Sequence, residues 1–188
     1  PLPFKMYTDF CLGFFSVNLG WWATDNQRAF FVDITRGSKV VRLVELDTHT
    51  GMTRVLFEES SETFVKLHHE GLLDLPFYVP LPESNELIWF SERSGWGHLY
   101  LYDLNTGQLK HTITEGEWLV RDILHFDPKK REILVQTAAR DTEISPYYRD
   151  ICKINVDSGK LTTLASGNVD YFVSRRHNFS VSIRDLLK

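Results

Sequence analysis

Hydrophobic and polar positions alternate with a period of two through most of this chain, and turn residues interrupt them at short intervals. In His98-Leu99-Tyr100-Leu101-Tyr102 the leucines share one face and the tyrosines the other, as successive side chains of a strand must. Both faces of that segment are apolar, which predicts a sheet covered on both sides. Arg42-Leu43-Val44-Glu45-Leu46 shows the more usual half-polar form. Three times a hydrophobic strand runs into an Asp or Asn turn closed by glycine: Leu46-Asp47 to Gly51, Tyr102-Asp103 to Gly107, and Ile154-Asn155 to Gly159. The glycines are about 50 residues apart, the spacing of propeller-type repeats. A repeat of that length is one supersecondary unit that buries its core only by stacking on neighbours.

The pattern predicts an all-β fold of four-stranded antiparallel sheets with no helix beyond about two turns. A first repeat over 13–57 reads as strands at Phe14–Leu19, Arg28–Thr35, Val40–Leu46 and Thr53–Phe57. A second over 64–114 reads as Phe64–His68, Glu86–Ser91, His98–Tyr102 and Gln108–Ile113, with a proline-rich insertion at Leu72–Glu83. A third over 119–165 reads as Leu119–Phe126, Glu132–Thr137, Tyr148–Ile154 and Lys160–Leu164. An incomplete fourth over 169–188 reads as Val169–Ser174 and Phe179–Ile183. About three and a half blades do not close a ring of the usual four to eight. The chain is therefore expected to belong to a larger propeller, or to associate with itself through two open apolar blade faces.

Composition narrows the classes. Of 188 residues 43% are hydrophobic and 13% aromatic, enough for a core and suited to pleated surfaces. The formal net charge is -4, and the short basic run Lys129-Lys130-Arg131 reads as a turn, so no nucleic-acid partner is expected. No apolar stretch approaches the roughly 20 residues of a membrane span. Position 1 is proline, which suggests an excised piece of a longer chain. Soluble, periplasmic and cytoplasmic settings stay open. Cys11 and Cys152 are distant in sequence and read as buried thiols, with pairing as the alternative.

Four segments carry a family resemblance. Trp89-Phe90-Ser91-Glu92-Arg93-Ser94-Gly95-Trp96-Gly97-His98-Leu99-Tyr100-Leu101-Tyr102-Asp103 resembles a hairpin of the dipeptidyl peptidase IV family propeller. Thr112 to Val120, Trp22-Ala23-Thr24-Asp25-Asn26 and Phe64 to Glu70 are similar to further family segments, in the family's order. Phe64 stands where the family has tryptophan, and Ser174 to Asn178 replaces the usual turn into a final blade. The resemblance implies a prolyl-oligopeptidase-like serine exopeptidase that removes dipeptides from peptide amino termini. Its propeller caps an α/β-hydrolase domain, and this chain looks like the later blades. An activated serine needs a Gly-x-Ser-x-Gly elbow with a histidine and a carboxylate. That elbow does not occur in the 188 residues, so the chain alone is expected to be catalytically silent and to shape the path of peptide substrates. The alternative is a freestanding propeller-type scaffold that binds proteins or glycans.

No catalytic residue, cofactor or metal ligand set is assigned. His68-His69-Glu70 places ligand-type side chains together, but neighbours on a strand point to opposite faces, so a shared metal is disfavoured. His69 and Glu70 read instead as channel-lining or turn residues. Glu92 and Arg93 sit in a tight hairpin and face either a cavity or each other. Trp96 and Trp118 read as inter-blade packing or as a subsite wall. The polar loop from Arg140 to Arg149, with Tyr147 and Tyr148, is the best contact for a partner domain. Glu58-Glu59 is a carboxylate pair by adjacency only.

Overall fold

The computed structural model describes residues 20–66, 78–171 and 173. Its strands form three four-stranded antiparallel sheets, each with neighbours in sequence order. The first sheet comprises β1 (Gly20–Trp22), β2 (Arg28–Ile34), β3 (Val40–Asp47) and β4 (Thr53–Ser60). The second comprises β5 (Tyr78–Leu81), β6 (Glu86–Ser91), β7 (His98–Asp103) and β8 (Leu109–Thr112). The third comprises β9 (Leu119–Asp127), β10 (Glu132–Ala138), β11 (Arg149–Asn155) and β12 (Leu161–Ala165). A four-stranded meander is the unit of a propeller blade. One short 3-10 turn, Pro82–Ser84, is the sole helical element among the described residues. The first two sheets form one compact unit, ending at Thr112, and the third sheet lies in a second, which starts at Ile113.

The core of the first unit follows from alternation. Phe30, Val32, Val41 and Leu43 of the first sheet pack with Tyr78, Leu87, Trp89, Tyr100 and Tyr102 of the second, all buried. Six rings run through this interface. Phe30 stacks on Trp21 (5.5 Å), Trp21 meets Tyr78 (5.6 Å), Tyr78 stacks on Trp89 (5.7 Å), and Phe57 meets both Trp89 (5.2 Å) and Tyr102 (4.1 Å). Such pairs add ~0.5–1.5 kcal/mol each beyond their area burial. Burial pushes the Tyr78 phenol up. Every residue of β6 is buried, which matches the two-sided apolar pattern of this sheet. The third sheet buries Ile133, Val135, Ile151, Cys152 and Ile154. Cys152 is a free buried thiol, whereas Cys11 lies outside the described residues.

The three recurring turns share one chemistry. The Asp47 carboxylate accepts the backbone N–H groups of His49 (2.8 Å) and Thr50 (2.9 Å). Asp103 accepts those of Asn105 (2.7 Å) and Thr106 (3.2 Å), and Asn155 accepts that of Ser158 (3.0 Å). Each closing glycine donates back to the carbonyl of the turn's first residue at 2.8–2.9 Å. These are Asx turns, in which a side chain replaces a backbone acceptor. Gly107 has a second reason to be glycine. Its φ is +75°, and a Cβ there would stand 2.3 Å from the carbonyl oxygen of Leu56. The turn of the second sheet thus rests on β4 of the first with no room for a side chain.

Two strand expectations are corrected. In the stretch expected as the first strand of the second sheet, Phe64, Val65 and Lys66 have no strand structure, while Leu67 and His68 lie outside the described residues. Val65 instead donates its N–H to the Ser38 carbonyl (2.7 Å) and ties the segment to the β2–β3 hairpin as a connector. The first strand is Tyr78–Leu81, inside the stretch read as an insertion. Its Pro80 masks it, yet the strand is at the sheet edge, where proline is tolerated. The segment 169–171 carries no strand either. The expected strands Phe14–Leu19 and Phe179–Ile183 lie outside the described residues.

Candidate functional site

A cleft of ≈ 500 Å³ opens in the first unit, at the end of β4. One wall is the connector that leaves the first sheet, Ser60 to Lys66. The other is the β6–β7 hairpin, through Glu92, Arg93 and Gly95. The hairpin turns at Gly95, whose N–H donates to the Glu92 carbonyl (2.9 Å) at a φ of +89°.

A polar network forms the inner part of this cleft, centred on Glu59. One carboxylate oxygen accepts the Ser91 hydroxyl (2.5 Å). The other accepts the Trp89 indole N–H (2.8 Å) and an Arg93 Nη (3.0 Å). Arg93 also donates to the Ser91 Oγ (2.8 Å) and the Tyr102 hydroxyl (2.7 Å), and lies over the Tyr100 ring at 4.5 Å. Burial opposes the Arg93 charge, but the Tyr102 and Glu59 partners outweigh it and the net direction is upward. The Tyr102 phenol is pushed up, chiefly by burial and against the pull of Arg93. Glu59 is partly buried and Arg93 more open, with side chains 11% and 35% exposed, and partial burial of charge is tolerated where it is paired and hydrogen-bonded. The network's acceptor comes from the first sheet and its donors from the second, so it is also a strap between the two.

Outside this network the charges are loosely held. Lys66 Nζ stands 3.8 Å from Glu92 Oε1, with side chains 23% and 44% exposed. Phe64 lines the cleft and is 58% exposed.

The sequence-derived candidates separate into groups. Glu92 and Arg93 meet in the cleft, and Trp96 belongs to the same hairpin, 37% exposed, with its carbonyl accepting the Ser94 hydroxyl (3.1 Å). His69 and Glu70 lie outside the described residues. Trp118, Tyr147 and Tyr148 belong to the second unit. There Arg140 lies over the Trp118 ring at 5.8 Å and donates to Cys152 Sγ (3.1 Å) and Thr163 Oγ1 (2.9 Å). Asp150, 3.8 Å from Arg140, is pushed up by desolvation all the same. Tyr147 is 88% exposed, and Tyr148 N–H donates to the Ser145 carbonyl (3.0 Å). Glu58 and Glu59 do not act as a pair. Glu58 binds Arg42 (2.6 Å), on the other side of the strand from the Glu59 network. Glu59 is the residue that sequence reasoning undervalued. The available signal was its spacing: it follows Phe57 by two positions and so shares the face that packs on Trp89. Among the described residues no group of three potential ligands could hold a metal ion.

The sequence profile of the dipeptidyl peptidase IV (DPP IV) N-terminal region matches residues 17–186. The chain belongs to the dipeptidyl peptidase IV N-terminal region family. Among curated proteins it is 22% identical to dipeptidyl peptidase 4 of Arthroderma otae over 149 residues, 79% of this chain and 18% of that protein. It is 28% identical to dipeptidyl peptidase 4 of Trichophyton equinum over 97 residues, 52% of this chain and 12% of that protein. The chain therefore spans less than a fifth of the length of these dipeptidyl peptidase 4 relatives. The crystal structure of Porphyromonas gingivalis dipeptidyl peptidase 4 superposes with a TM-score of 0.59 at 18% identity, covering 81% of this chain and 21% of that one. The fold is thus that of dipeptidyl peptidase IV propeller blades. Among the described residues no helix is long and apolar enough to cross a membrane.

Proposed function

We propose that this chain is a non-catalytic part of the propeller of a dipeptidyl-peptidase-IV-like serine exopeptidase, and that it shapes the path of peptides to a separate α/β-hydrolase domain. The observation that carries the reading is the match of the N-terminal-region profile across 17–186. The cleft agrees with it. The connector that leaves the first sheet and the hairpin between the second and third strands of the second sheet meet there, and such loops are where propellers place variable contacts. Glu92, Arg93 and Trp96 are the wall residues of that path, and His69 and Glu70 keep the channel-lining role that the sequence suggests for them. Trp118, Tyr147 and Tyr148 contribute contacts to the hydrolase domain. Open blade faces are covered by the rest of the propeller or by a second copy.

The test is hydrolysis of a Gly-Pro chromogenic substrate. The full-length protein that carries this chain releases the chromophore, and the isolated chain does not. A full-length protein inactive on every X-Pro and X-Ala anilide overturns the reading.

A further inference from the structure

We infer that the cleft between the Ser60–Lys66 connector and the β6–β7 hairpin binds short peptides with both termini free, the peptide carboxylate meeting Lys66 and the ammonium meeting Glu92. The inference rests on the peptidase reading and adds a ligand class to a cleft that this reading treats only as a wall.

Its basis is a division of labour among four charged groups. Glu59 and Arg93 are fixed. Both Glu59 oxygens accept, and Arg93 donates through Nε and both terminal nitrogens to Ser91, Tyr102 and Glu59. They form an inner surface whose charges are already paired. Lys66 and Glu92 also line the cleft, but they come from opposite walls and hold each other at 3.8 Å in partial exposure. An exposed pair of that length gains little from its own attraction. A ligand that brings one anion and one cation replaces this single loose contact with two. A ligand of one sign leaves one of the two unsatisfied. The remaining lining suits a peptide of two or three residues. Phe64 offers an exposed ring to an apolar side chain, and Ser60, Ser61 and Thr63 offer hydroxyls to its amide groups. The volume of ≈ 500 Å³ lies in the range of small-ligand sites. Hydroxyls beside an aromatic ring also suit a sugar, but a neutral glycan has no use for two opposed charges.

The experiment is calorimetric titration of the full-length protein with the dipeptide Gly-Phe, which has no third residue to release and so is not consumed by dipeptide cleavage. Saturable binding is expected. Lys66→Ala and Glu92→Ala each weaken it about tenfold, which corresponds to ~1.4 kcal/mol. Gly-Phe amide, which lacks the carboxylate, loses the same factor on the unaltered protein and nothing more on Lys66→Ala. The double variant Lys66→Glu with Glu92→Lys retains binding, because the two charges exchange walls. Near-UV circular dichroism identical among the variants shows that the cleft has kept its packing. Equal affinity for all variants, or no saturable binding of Gly-Phe, overturns the inference. So does binding of maltotriose in place of the dipeptide. These outcomes are independent of the Gly-Pro anilide assay: a protein that hydrolyses the anilide and fails here keeps the peptidase reading and loses the cleft assignment.

Discussion

The connection between second and third strands is built in two opposite ways in the two units. In the second sheet it is the tight Glu92–Gly97 hairpin, and in the third it is the longer loop between Ala138 and Arg149. Each has an arginine laid over an aromatic ring, Arg93 on Tyr100 and Arg140 on Trp118. The difference lies in where each arginine finds its acceptors. Arg93 takes Glu59 from the preceding sheet. Arg140 takes Thr163 and Cys152 from its own. The first arrangement straps two sheets together through the hairpin. The second secures the base of a loop and leaves its tip, Tyr147, in solvent. The same ingredients thus tie a hairpin to the preceding sheet in one blade and leave a loop tip in solvent in the other, according to one acceptor's origin.

The largest expected break in this contrast is Glu59→Ala. It leaves the Trp89 indole N–H and the Ser91 hydroxyl, both on buried residues, without their acceptor, and each such loss costs about 1–3 kcal/mol. Thermal unfolding followed by circular dichroism is expected to show that loss, and a change under 1 kcal/mol would deny Glu59 its role as a strap. Gly107→Ala tests the same sheet contact from the backbone side. Positive φ and the approach of Leu56 together cost about 2–3 kcal/mol, read by the same melting curves. Arg140→Ala is expected to cost about 1 kcal/mol, since its contacts lie within one sheet and are part-exposed. A cost equal to that of Glu59→Ala would erase the contrast. Tyr147→Ala is expected to change stability by less than about 0.5 kcal/mol while weakening whatever docks on the loop, measured as the KM and kcat of the full-length protein on Gly-Pro anilide. The smallest effect concerns acid. The Thr50 and His49 N–H groups hold the Asp47 carboxyl below the usual carboxylate range. A depressed folded value contributes stability above the unfolded value near ~3.9 and loses it as pH falls through the folded one. NMR titration of the Asp47 carboxyl carbon is expected to give a midpoint below that of an unstructured aspartate; a midpoint at or above it removes the turn's acid sensitivity.

Alternation made most of the fold legible, because a period of two is a direct image of a pleated sheet. Leu99 and Leu101 against Tyr100 and Tyr102 placed β7 and its two buried faces correctly. The Asx turns were legible for a similar reason, since Asp and glycine at fixed offsets satisfy local geometry without help from elsewhere. The first strand of the second sheet was not. Pro80 argues locally against a strand, and its edge position, which removes the objection, is a property of the sheet. Phe64-Val65 reads locally as a strand, and only the Ser38 carbonyl makes it a connector. The site was half legible for the same reason. Glu92 and Arg93 announced themselves by their hairpin, whereas Glu59 gains its meaning from Trp89 and Arg93, about 30 residues away, across a sheet boundary that only folding creates.

The row of rings through the first unit gives the molecule an optical property. Trp89 is dry, stacked against Tyr78, edge-on to Phe57, and hydrogen-bonded through its indole nitrogen. Trp22 is 62% in solvent. The two indoles therefore sense different polarities. Trp89 is expected to emit toward the blue while the two sheets stay closed on each other and to shift red when they part. Parting of blades can then be followed by the colour of the light that the protein itself emits, with no label attached.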